Sequence, residues 1–384
     1  MRKRPAVALL IETSNAYARG LLEGVMAWVR EHRPWSIYLP EQGRGDPPPE
    51  WLARWRGDGL IARIETPQIA RAVMRKRLPV VDVSAGRHVR SVPWVETDDE
   101  AIARAAAEHL LDRGFRRLAF CGDARFNWSK HRRRHFEAVA REKGVPVQAF
   151  ESPLRDGRPI PLSREHDRLV AWVRRLEKPV GVMAAYDIKA QQLLDACRDA
   201  GVAVPEEVAV VGVDNDELLC RLATPPLSSV TPNARRTGYE AAGLLDRLMR
   251  GERVPPEAHL IPPMGIQTRQ STDILAVEDR EVAAAMRFIR EHACDGIRVE
   301  EVLKAVPLSR RILERRFRKV TGRTPHEEIL RLRLDRVKQL LGETDLSLER
   351  IAHLAGFAHP EYMNVAFKRE VGRTPGDYRR RVRT

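Results

Sequence analysis

Carboxylates, a guanidinium group and aromatic rings follow several short apolar runs in the first 270 residues. Asp214 and Asn215 come directly after the run 208–213, and Tyr17 follows the run 6–11. Carboxylate and guanidinium groups hydrogen-bond paired hydroxyls, and an aromatic ring can stack on a sugar face. This chemistry fits a neutral polyhydroxyl ligand. The candidate ligand-binding residues are Arg132, Asp214, Asp98, Asp187, Tyr17, Trp128 and Asn215.

Two of these aspartates differ in how specific their setting is. Asp98 precedes a helical segment, and aspartate at that position commonly caps the helix N-terminus. Capping and ligand binding therefore stay open for Asp98. Asp214 stands in Val-Gly-Val-Asp-Asn-Asp at the end of an apolar run, and we favour ligand binding for it.

The elements that must position these side chains alternate between strand-like and helical patterns. Short β-rich runs predict strands at 6–11, 36–39, 59–62, 80–83, 118–121, 180–184, 208–213 and 259–262. Helical spacing predicts helices at 16–31, 50–56, 100–113, 130–143, 167–176, 188–200 and 234–250. Repeated strand–helix–strand units predict parallel sheets with helices on both faces. Because these strands are too many for one small sheet, we expect two α/β lobes with ligand-binding loops at the carboxyl ends of the strands.

Motifs for cofactor or nucleophile chemistry are missing from the sequence. It contains no G-x-G-x-x-G after the first strand, no Walker A loop, no G-x-S-x-G and no H-E-x-x-H. The four cysteines lie 76, 23 and 74 residues apart, which supports neither a disulfide framework nor a zinc site. We therefore predict no catalytic residue, no metal and no cofactor.

The net charge of +14 is unevenly distributed along the 384 residues. Residues 279–384 hold 24 Lys plus Arg and 16 Asp plus Glu, a surplus of +8, and the preceding 278 residues hold 43 and 37, a surplus of +6. This asymmetry fits a nucleic-acid-binding tail or a solvated basic face. The apolar run 6–11 is too short for a membrane span or a signal peptide, which predicts a cytoplasmic protein without membrane contact.

An internal repeat with an offset of 50 residues organises the tail. Gly322-Arg323-Thr324-Pro325 recurs as Gly372-Arg373-Thr374-Pro375, and the match extends backwards without a gap. Each copy predicts a short helix, a tight turn and a second helix, which is helix-turn-helix geometry. The predicted helices are 300–305 and 309–320 in the first copy, 349–355 and 360–370 in the second, and a connector at 329–341.

This tail resembles the AraC-type DNA-binding domain, which carries two helix-turn-helix units and ends in G-x-T-P-x-x-Y-R. The resemblance implies that Leu313, Phe317, Phe357 and Phe367 are core residues. It leaves the outward side chains of the second helix of each unit for DNA. The candidate DNA-binding residues are Arg310, Arg311, Glu314, Arg315, Arg318, His359, Glu361, Tyr362 and Asn364.

These candidates differ in the part of DNA that they could contact. Arg311 and Arg315 lie four residues apart and could contact guanine edges, while Glu314 could accept from cytosine. Phosphate contact is the alternative for Arg310 and Arg318. Val365 stands where the family usually has a polar or basic residue, so base recognition by the second unit is in question.

The α/β part resembles the sugar-binding core that LacI-type regulators share with periplasmic binding proteins. The fusion of such a core to an AraC-type tail resembles a family of sugar-operon regulators, and this resemblance is visible over nearly the whole chain, at 16–25, 58–62, 211–217, 227–230, 269–273 and 286–296. In such cores an arginine of a Trp-led helix and the aspartate of Gly-x-Asp hold the sugar, which implies those roles for Arg132 and Asp214. We therefore expect a type I periplasmic-binding-protein-like domain of two lobes at 1–270, a linker at 271–281 and an all-α domain with two helix-turn-helix units at 282–384, with the polar stretch 263–281 acting as a hinge.

These features predict a sugar-responsive transcription regulator. The resemblance implies D-xylose or another pentose as effector, operator DNA as partner, a homodimer, contact with RNA polymerase and activation of catabolic genes. Sugar would close the two lobes and so reposition the paired tails on DNA. Two alternatives stay open: the same regulator with another sugar effector, and a sugar-processing enzyme with a DNA-binding tail.

Overall fold

The computed structural model describes residues 4–43, 46–155, 158–273 and 279–383. The described residues divide into two compact units, with the boundary after Asp273. The first unit alternates strands and helices, whereas the second unit contains helices only among its described residues.

The first unit contains two large sheets and one small two-stranded sheet. Its strands are β1 (Ala6–Leu10), β2 (Ser36–Tyr38), β3 (Gly59–Ala62), β4 (Val80–Asp82), β5 (Trp94–Thr97), β6 (Leu118–Gly122), β7 (Val147–Glu151), β8 (Leu154–Arg155), β9 (Arg158–Pro159), β10 (Val180–Ala184), β11 (Val208–Val213), β12 (Ser228–Val230), β13 (Ala258–Ile261) and β14 (Ile266–Gln267). Its helices are α1 (Ala16–Glu31), α2 (Glu50–Arg54), α3 (Pro67–Met74), α4 (Asp99–Asp112), α5 (Asn127–Glu142), α6 (Leu162–Arg175), α7 (Asp187–Ala200), α8 (Glu217–Leu222) and α9 (Ala234–Met249).

Each large sheet forms the centre of one lobe. The sheet of lobe 1 has the order β13-β5-β4-β3-β1-β2 and is parallel throughout, and the sheet of lobe 2 has the order β14-β12-β11-β10-β6-β7 with only β14 antiparallel. The chain passes between the sheets three times, after β5, after β12 and after β13. This topology confirms the predicted two-lobed α/β fold.

Burial on both faces explains why the sheet strands are apolar along their length. In β1, Val7 and Leu9 belong to the core on one face, while Ala8 and Leu10 belong to the core on the other. Parallel strands covered by helices on both faces show such continuous apolar runs. The same pattern produced the predicted strands 59–62, 180–184 and 208–213, which match β3, β10 and β11.

Helices α1 and α9 cross at very close range over lobe 1. A Cβ atom on Gly24 would lie 2.0 Å from the carbonyl oxygen of Arg235, and one on Gly238 would lie 2.0 Å from that of Leu21. Only glycine leaves enough room for these backbones. At the start of α1 the Asn15 side chain accepts a hydrogen bond from the Ala18 amide, which fixes where the helix begins next to β1.

The second unit contains the predicted helix pairs and two additional helices. Its helices are α10 (Arg280–His292), α11 (Val299–Ala305), α12 (Arg310–Thr321), α13 (Pro325–Glu343), α14 (Leu348–Leu354), α15 (Pro360–Val371) and α16 (Pro375–Arg383). The predictions for the two helix-turn-helix pairs and the connector are confirmed within a few residues. Helices α10 and α16 were missing from the sequence prediction.

The predicted core residues of the tail are buried as expected. Leu313, Phe317 and Phe367 are fully buried, and Phe357 is 4% exposed. In the turn of the second helix-turn-helix pair, Gly356 has a φ of +76° and lies against the backbone of Cys294. The repeat therefore corresponds to two helix pairs packed around the connector α13.

The prediction of a hinge at 263–281 is wrong for the first part of this stretch. Ile266 and Gln267 form strand β14, which pairs with β12. Ser271 and Thr272 are fully buried, and the Ser271 hydroxyl donates to the carbonyl oxygen of Val210 at 2.6 Å. The polar composition was misleading because the Ser271 hydroxyl bonds buried backbone groups and the Thr272 hydroxyl bonds the buried Ser228 side chain. Residues 274–278 of the expected linker lie outside the described residues, and 280–281 already belong to α10.

Candidate functional site

A cavity lies between the carboxyl ends of the two sheets of the first unit. Lobe 1 contributes residues after β1 and β3 and within β5, and lobe 2 contributes residues of α5 and the end of β11. About 310 Å³ inside it is free of protein atoms, open solvent included. The lining residues are Asn15, Tyr17, Arg63, Glu96, Trp128, Arg132 and Asp214.

Tyr17, Arg63 and Glu96 form one polar group on the lobe 1 side. The Tyr17 hydroxyl donates to Glu96 Oε1 at 3.2 Å, and the Arg63 guanidinium lies 5.4 Å from the centre of the Tyr17 ring. Arg63 also pairs with Glu12 and, at 2.7 Å, with Glu65. These contacts fix the orientation of Arg63 and Tyr17 before a ligand arrives.

Burial changes the acid–base properties of this group. Removal from water raises the pKa of Glu96 to about 8, although Arg63 acts in the opposite direction. Burial, together with the neighbouring Glu96, also raises the pKa of Tyr17. Near neutral pH both groups can therefore donate a proton to a hydrogen bond.

Arg132 is the central cation on the lobe 2 side and is 4% exposed. Its Nε donates to Asp99 Oδ1 at 2.9 Å, and its Nη1 donates to the carbonyl oxygen of Ala185 at 2.7 Å. Its guanidinium lies 5.1 Å from the centre of the Trp128 ring, which stacks on Phe126. Burial lowers the pKa of Arg132, but Asp99 and Asp214 outweigh this and raise it, so Arg132 stays charged.

Asp214 reaches the cavity from a strained turn after β11. Its φ is +114° and that of Asn215 is +47°, a region that residues other than glycine rarely adopt. Its amide donates to the carbonyl oxygen of Val230 at 3.1 Å. Strained backbone of this kind persists where surrounding contacts enforce it, and it is concentrated at functional sites.

Three buried polar atoms of the lining have no hydrogen-bond partner among the described residues: Asn15 Nδ2, Arg63 Nε and Glu96 Oε2. Buried polar groups without a partner are costly, so a ligand with several hydroxyl groups would stabilise this site. The lining combines amide and guanidinium donors, the carboxyl groups of Glu96 and Asp214 and one indole face. It is suited to bind a small neutral polyol.

The structure brings Tyr17, Trp128, Arg132 and Asp214 together at the cavity. The other three predicted ligand-binding residues lie outside the lining. The Asp98 side chain accepts from the Ala101 amide and caps α4. Asp187 is buried beneath the turn and accepts from the Ser229 hydroxyl at 2.6 Å, while Asn215 accepts from Arg269.

The sequence prediction missed Asn15, Arg63 and Glu96 as lining residues. Asn15 and Arg63 follow β1 and β3 at their carboxyl ends, so the rule that identified Asp214 could have found them. Glu96 lies inside the four-residue strand β5, where a charged residue is usually assigned to the solvent. Nothing in its local sequence distinguishes it from an exposed glutamate.

Other kinds of site are not found in the described part of the chain. It holds no group of three or more His, Cys, Asp or Glu side chains arranged to bind a metal ion. Burial raises the pKa of the Cys121 and Cys197 thiols to about 12, which makes them poor nucleophiles. None of the described helices is both long and apolar enough to cross a membrane.

The first helix-turn-helix unit presents a basic face on α12. Arg311 and Arg315 are exposed and have no ion-pair or hydrogen-bond partner among the residues described. Arg310 pairs with Glu300 and Glu314 at 3.0 Å each, and Arg318 lies 3.9 Å from Glu327. These two arginines, four residues apart, are therefore exposed cations available for DNA.

The second helix-turn-helix unit presents a face on α15 that is less basic than that of α12. His359, Glu361 and Tyr362 are exposed, and Asn364 is half-buried. Val365, on the same helix, is 65% exposed. An exposed valine cannot hydrogen-bond to a base, but it can contact the methyl group of thymine.

Three family models match consecutive parts of the chain. The XylR N-terminal domain matches residues 6–100, the periplasmic binding protein-like domain matches residues 107–272, and a helix-turn-helix domain matches residues 302–381. Together they cover both lobes and both helix-turn-helix units.

Full-length relatives are also similar. The xylose operon regulatory protein of Escherichia coli K12 is 35% identical, over 98% of this chain and 97% of its own length. The same-named protein of Haemophilus influenzae is 31% identical, over 97% of each chain. A solved structure described as the xylose-binding transcription activator XylR has a TM-score of 0.84 and 33% identity, over 98% of both chains.

These similarities extend over both units of the chain. The predicted class, a sugar-responsive transcription regulator and not an enzyme, is confirmed by these relatives, which are regulatory proteins. The chain belongs to the family of the xylose operon regulatory proteins.

Proposed function

We propose that this chain binds D-xylose, or a closely related pentose, in the cavity between its lobes and that the bound sugar controls binding to operator DNA. The observation that carries the proposal is the set of three buried, unpartnered polar atoms on Asn15, Arg63 and Glu96 opposite Arg132 and Asp214. The names of the relatives support xylose as the sugar.

Each lobe supplies part of the sugar site. On lobe 2, Arg132 donates to one hydroxyl and Asp214 accepts from another, while the Trp128 ring covers an apolar face of the sugar. On lobe 1, Asn15 donates and Glu96 bonds a further hydroxyl. Because one small ligand then bridges both lobes, its binding favours the closed arrangement of the first unit.

The tail recognises DNA through α12 and α15. Arg311 and Arg315 contact guanine edges, and Glu314 accepts from cytosine. Arg310 and Arg318 contact phosphates, which adds affinity without sequence information. In the second unit His359, Glu361, Tyr362 and Asn364 face the DNA, and Val365 contacts a thymine methyl group.

The regulator acts in the cytoplasm as a homodimer that binds operator DNA and activates transcription together with RNA polymerase. A dimer presents two pairs of helix-turn-helix units, so that four major-groove segments are contacted at once. The sugar-binding domain ends at Asp273, and the DNA-binding domain begins near Asp279, the residue that caps α10.

Calorimetric titration of the full chain with aldopentoses and hexoses tests the choice of sugar. We expect D-xylose to bind more tightly than the other sugars and Asp214→Asn to weaken its binding. A hexose that binds more tightly would identify a regulator of the same class with a different effector. Absence of binding to every sugar would refute the proposed sugar site.

A further inference from the structure

Arg269 links the turn that carries Asp214 to the segment that leads out of the first unit. Its Nη2 donates to Asn215 Oδ1 at 2.9 Å and to Glu217 Oε2 at 2.6 Å, and its Nη1 donates to the carbonyl oxygen of Leu227 at 2.9 Å. The Arg269 side chain is 11% exposed. It therefore forms a three-way connection next to Asp214, which lines the cavity.

The Asp214–Asn215 turn needs such a connection because its backbone is strained. Both residues have positive φ, and such a conformation persists only where neighbours enforce it. The Asn215 amide donates to Ser229 Oγ at 3.0 Å, the Asp216 amide donates to Asp187 Oδ2 at 2.8 Å, and Arg269 holds the Asn215 side chain. Of these three contacts, only that of Arg269 comes from the end of the first unit.

The segment around Arg269 is firmly bonded to the sheet of lobe 2. The Arg269 amide donates to Ser228 Oγ at 2.7 Å, and Ser228 Oγ donates back to the carbonyl oxygen of Arg269 at 2.8 Å. Thr272 Oγ1 also donates to Ser228 Oγ, at 2.7 Å. Asp273 is the last residue of the unit, and only 274–278 separate it from Asp279 at the start of the second unit.

A second chain of contacts leads from Arg132 to the same segment. Arg132 bonds to Asp99 in the first turn of α4, and at the other end of α4 Arg113 Nε donates to the carbonyl oxygen of Thr272 at 2.7 Å. His109 bonds to Thr272 Oγ1 at 2.7 Å. The two cavity residues expected to hold the sugar on lobe 2 are thus both connected to residues 269–272.

We propose that Arg269 is a positioning residue that transmits the occupancy of the cavity to the segment entering the DNA-binding unit. Sugar bound to Asp214 favours one position of the turn, and Arg269 carries this preference to the backbone that ends at Asp273. The inference rests on the proposed sugar site. It adds a residue that touches neither the sugar nor DNA and yet determines how strongly the two are coupled.

The test compares Arg269→Met and Asn215→Gly with the unaltered full chain. Arg269→Met removes the guanidinium and keeps the apolar stem, and Asn215→Gly removes its acceptor while favouring the positive φ of the turn. Arg117→Met serves as control, because Arg117 lies in the same lobe and pairs on the surface with Glu177 at 2.8 Å. Operator affinity is measured by fluorescence anisotropy with and without saturating D-xylose, and sugar affinity is measured by calorimetry.

For the unaltered chain and for Arg117→Met we expect D-xylose to change operator affinity by about tenfold or more, a common size of coupling between two sites. For Arg269→Met and Asn215→Gly the change should fall below about twofold although both variants still bind D-xylose. Hydrogen exchange at residues 268–273 should slow on adding D-xylose in the unaltered chain and not in either variant.

Two results would overturn the inference, and they differ in what else they affect. If both variants keep the full response of operator affinity to sugar, Arg269 has only a structural role and the proposed function stands. If the unaltered chain binds neither D-xylose nor any other sugar tested by calorimetry, the proposed function fails and the inference fails with it. Loss of folding in Arg269→Met alone leaves Asn215→Gly to decide between these results.

Discussion

The Nε atom of Arg132 donates a 2.9 Å hydrogen bond to Oδ1 of Asp99, and both side chains are almost completely buried. Asp99 belongs to the first turn of α4, and Arg132 lies on α5. The bond therefore fixes the plane of a cavity-lining guanidinium by means of a neighbouring helix. A buried cation that is oriented before the ligand arrives costs less to order when the ligand binds.

Replacing Asp99 should therefore weaken sugar binding although Asp99 does not line the cavity. For Asp99→Asn we expect a loss of about 1.5 kcal/mol or more in binding free energy, roughly tenfold in Kd, because the negative charge that pairs with and orients Arg132 is removed. Glu100→Gln is the matched control, since Glu100 is the next residue and is exposed. Equal sugar affinity for both variants in calorimetry would contradict the positioning role of Asp99.

Asp214 and Asp98 should respond differently to substitution. Asp214→Asn tolerates the positive φ but removes the carboxylate, and we expect sugar affinity to fall at least about tenfold with little change in thermal stability. Asp98→Ala removes the cap of α4, which should cost about 1 kcal/mol of stability and leave sugar affinity unchanged. Calorimetry and thermal unfolding of both variants decide this. A weaker sugar affinity of Asp98→Ala would place Asp98 in the site after all.

The buried carboxyl group of Glu96 should make the stability of the sugar-free protein depend on pH. Because burial raises its pKa to about 8 in the folded chain from an ordinary 4.5, the folded state binds more protons between these values. Its stabilising contribution is complete below about pH 4.5 and is lost as pH rises through about 8. Glu96→Gln lacks this titration.

We therefore expect the free energy of unfolding to decrease more in the unaltered chain than in Glu96→Gln between pH 5.5 and 8.5, by on the order of 2 kcal/mol. Urea unfolding at several pH values without sugar measures the difference. Parallel pH profiles of the two proteins would show that Glu96 is ionised across this range, contrary to the expectation.

Two arginines of α12 should contribute differently to DNA binding. For Arg315→Ala we expect a loss of about 1–3 kcal/mol in operator binding together with relaxed sequence preference, because a base contact disappears. For Arg318→Ala we expect operator and unrelated DNA to be weakened alike, with a salt dependence reduced by about one phosphate contact. Anisotropy titrations at several salt concentrations distinguish the two. An equal loss on both DNAs for Arg315→Ala would assign Arg315 to the phosphates.

Local patterns were sufficient to predict most of the elements in this fold. The apolar runs at β3, β10 and β11 and the helical spacing of α1 match the observed bounds, because burial on one or both sides determines the spacing of apolar residues in the sequence. The pairing of β13 with β5 cannot be predicted from the spacing of apolar residues. It joins residues more than 150 positions apart, and only the assembled sheet determines it.

The candidate site was predicted in part for a similar reason. Arg132 and Asp214 were found through motifs, and Tyr17 and Trp128 through their places after strands. Glu96 could be recognised as a site residue only from the fold. Its burial depends on a distant part of the chain, which includes its hydrogen-bond partner Tyr17. Asp187 and Asn215 follow strands, as residues of a ligand site would, but in the structure they stabilise the turn that carries Asp214 and do not line the cavity. The sequence alone does not distinguish these two roles.

The central claim is that sugar in the cavity controls DNA binding by the tail. Its most direct test is the affinity of the full chain for operator DNA, measured by fluorescence anisotropy with and without saturating D-xylose, with Asp214→Asn alongside. The account predicts that D-xylose tightens operator binding by about tenfold or more in the unaltered chain and that Asp214→Asn needs at least about tenfold more D-xylose to respond. The same operator affinity with and without the sugar in the unaltered chain would contradict it.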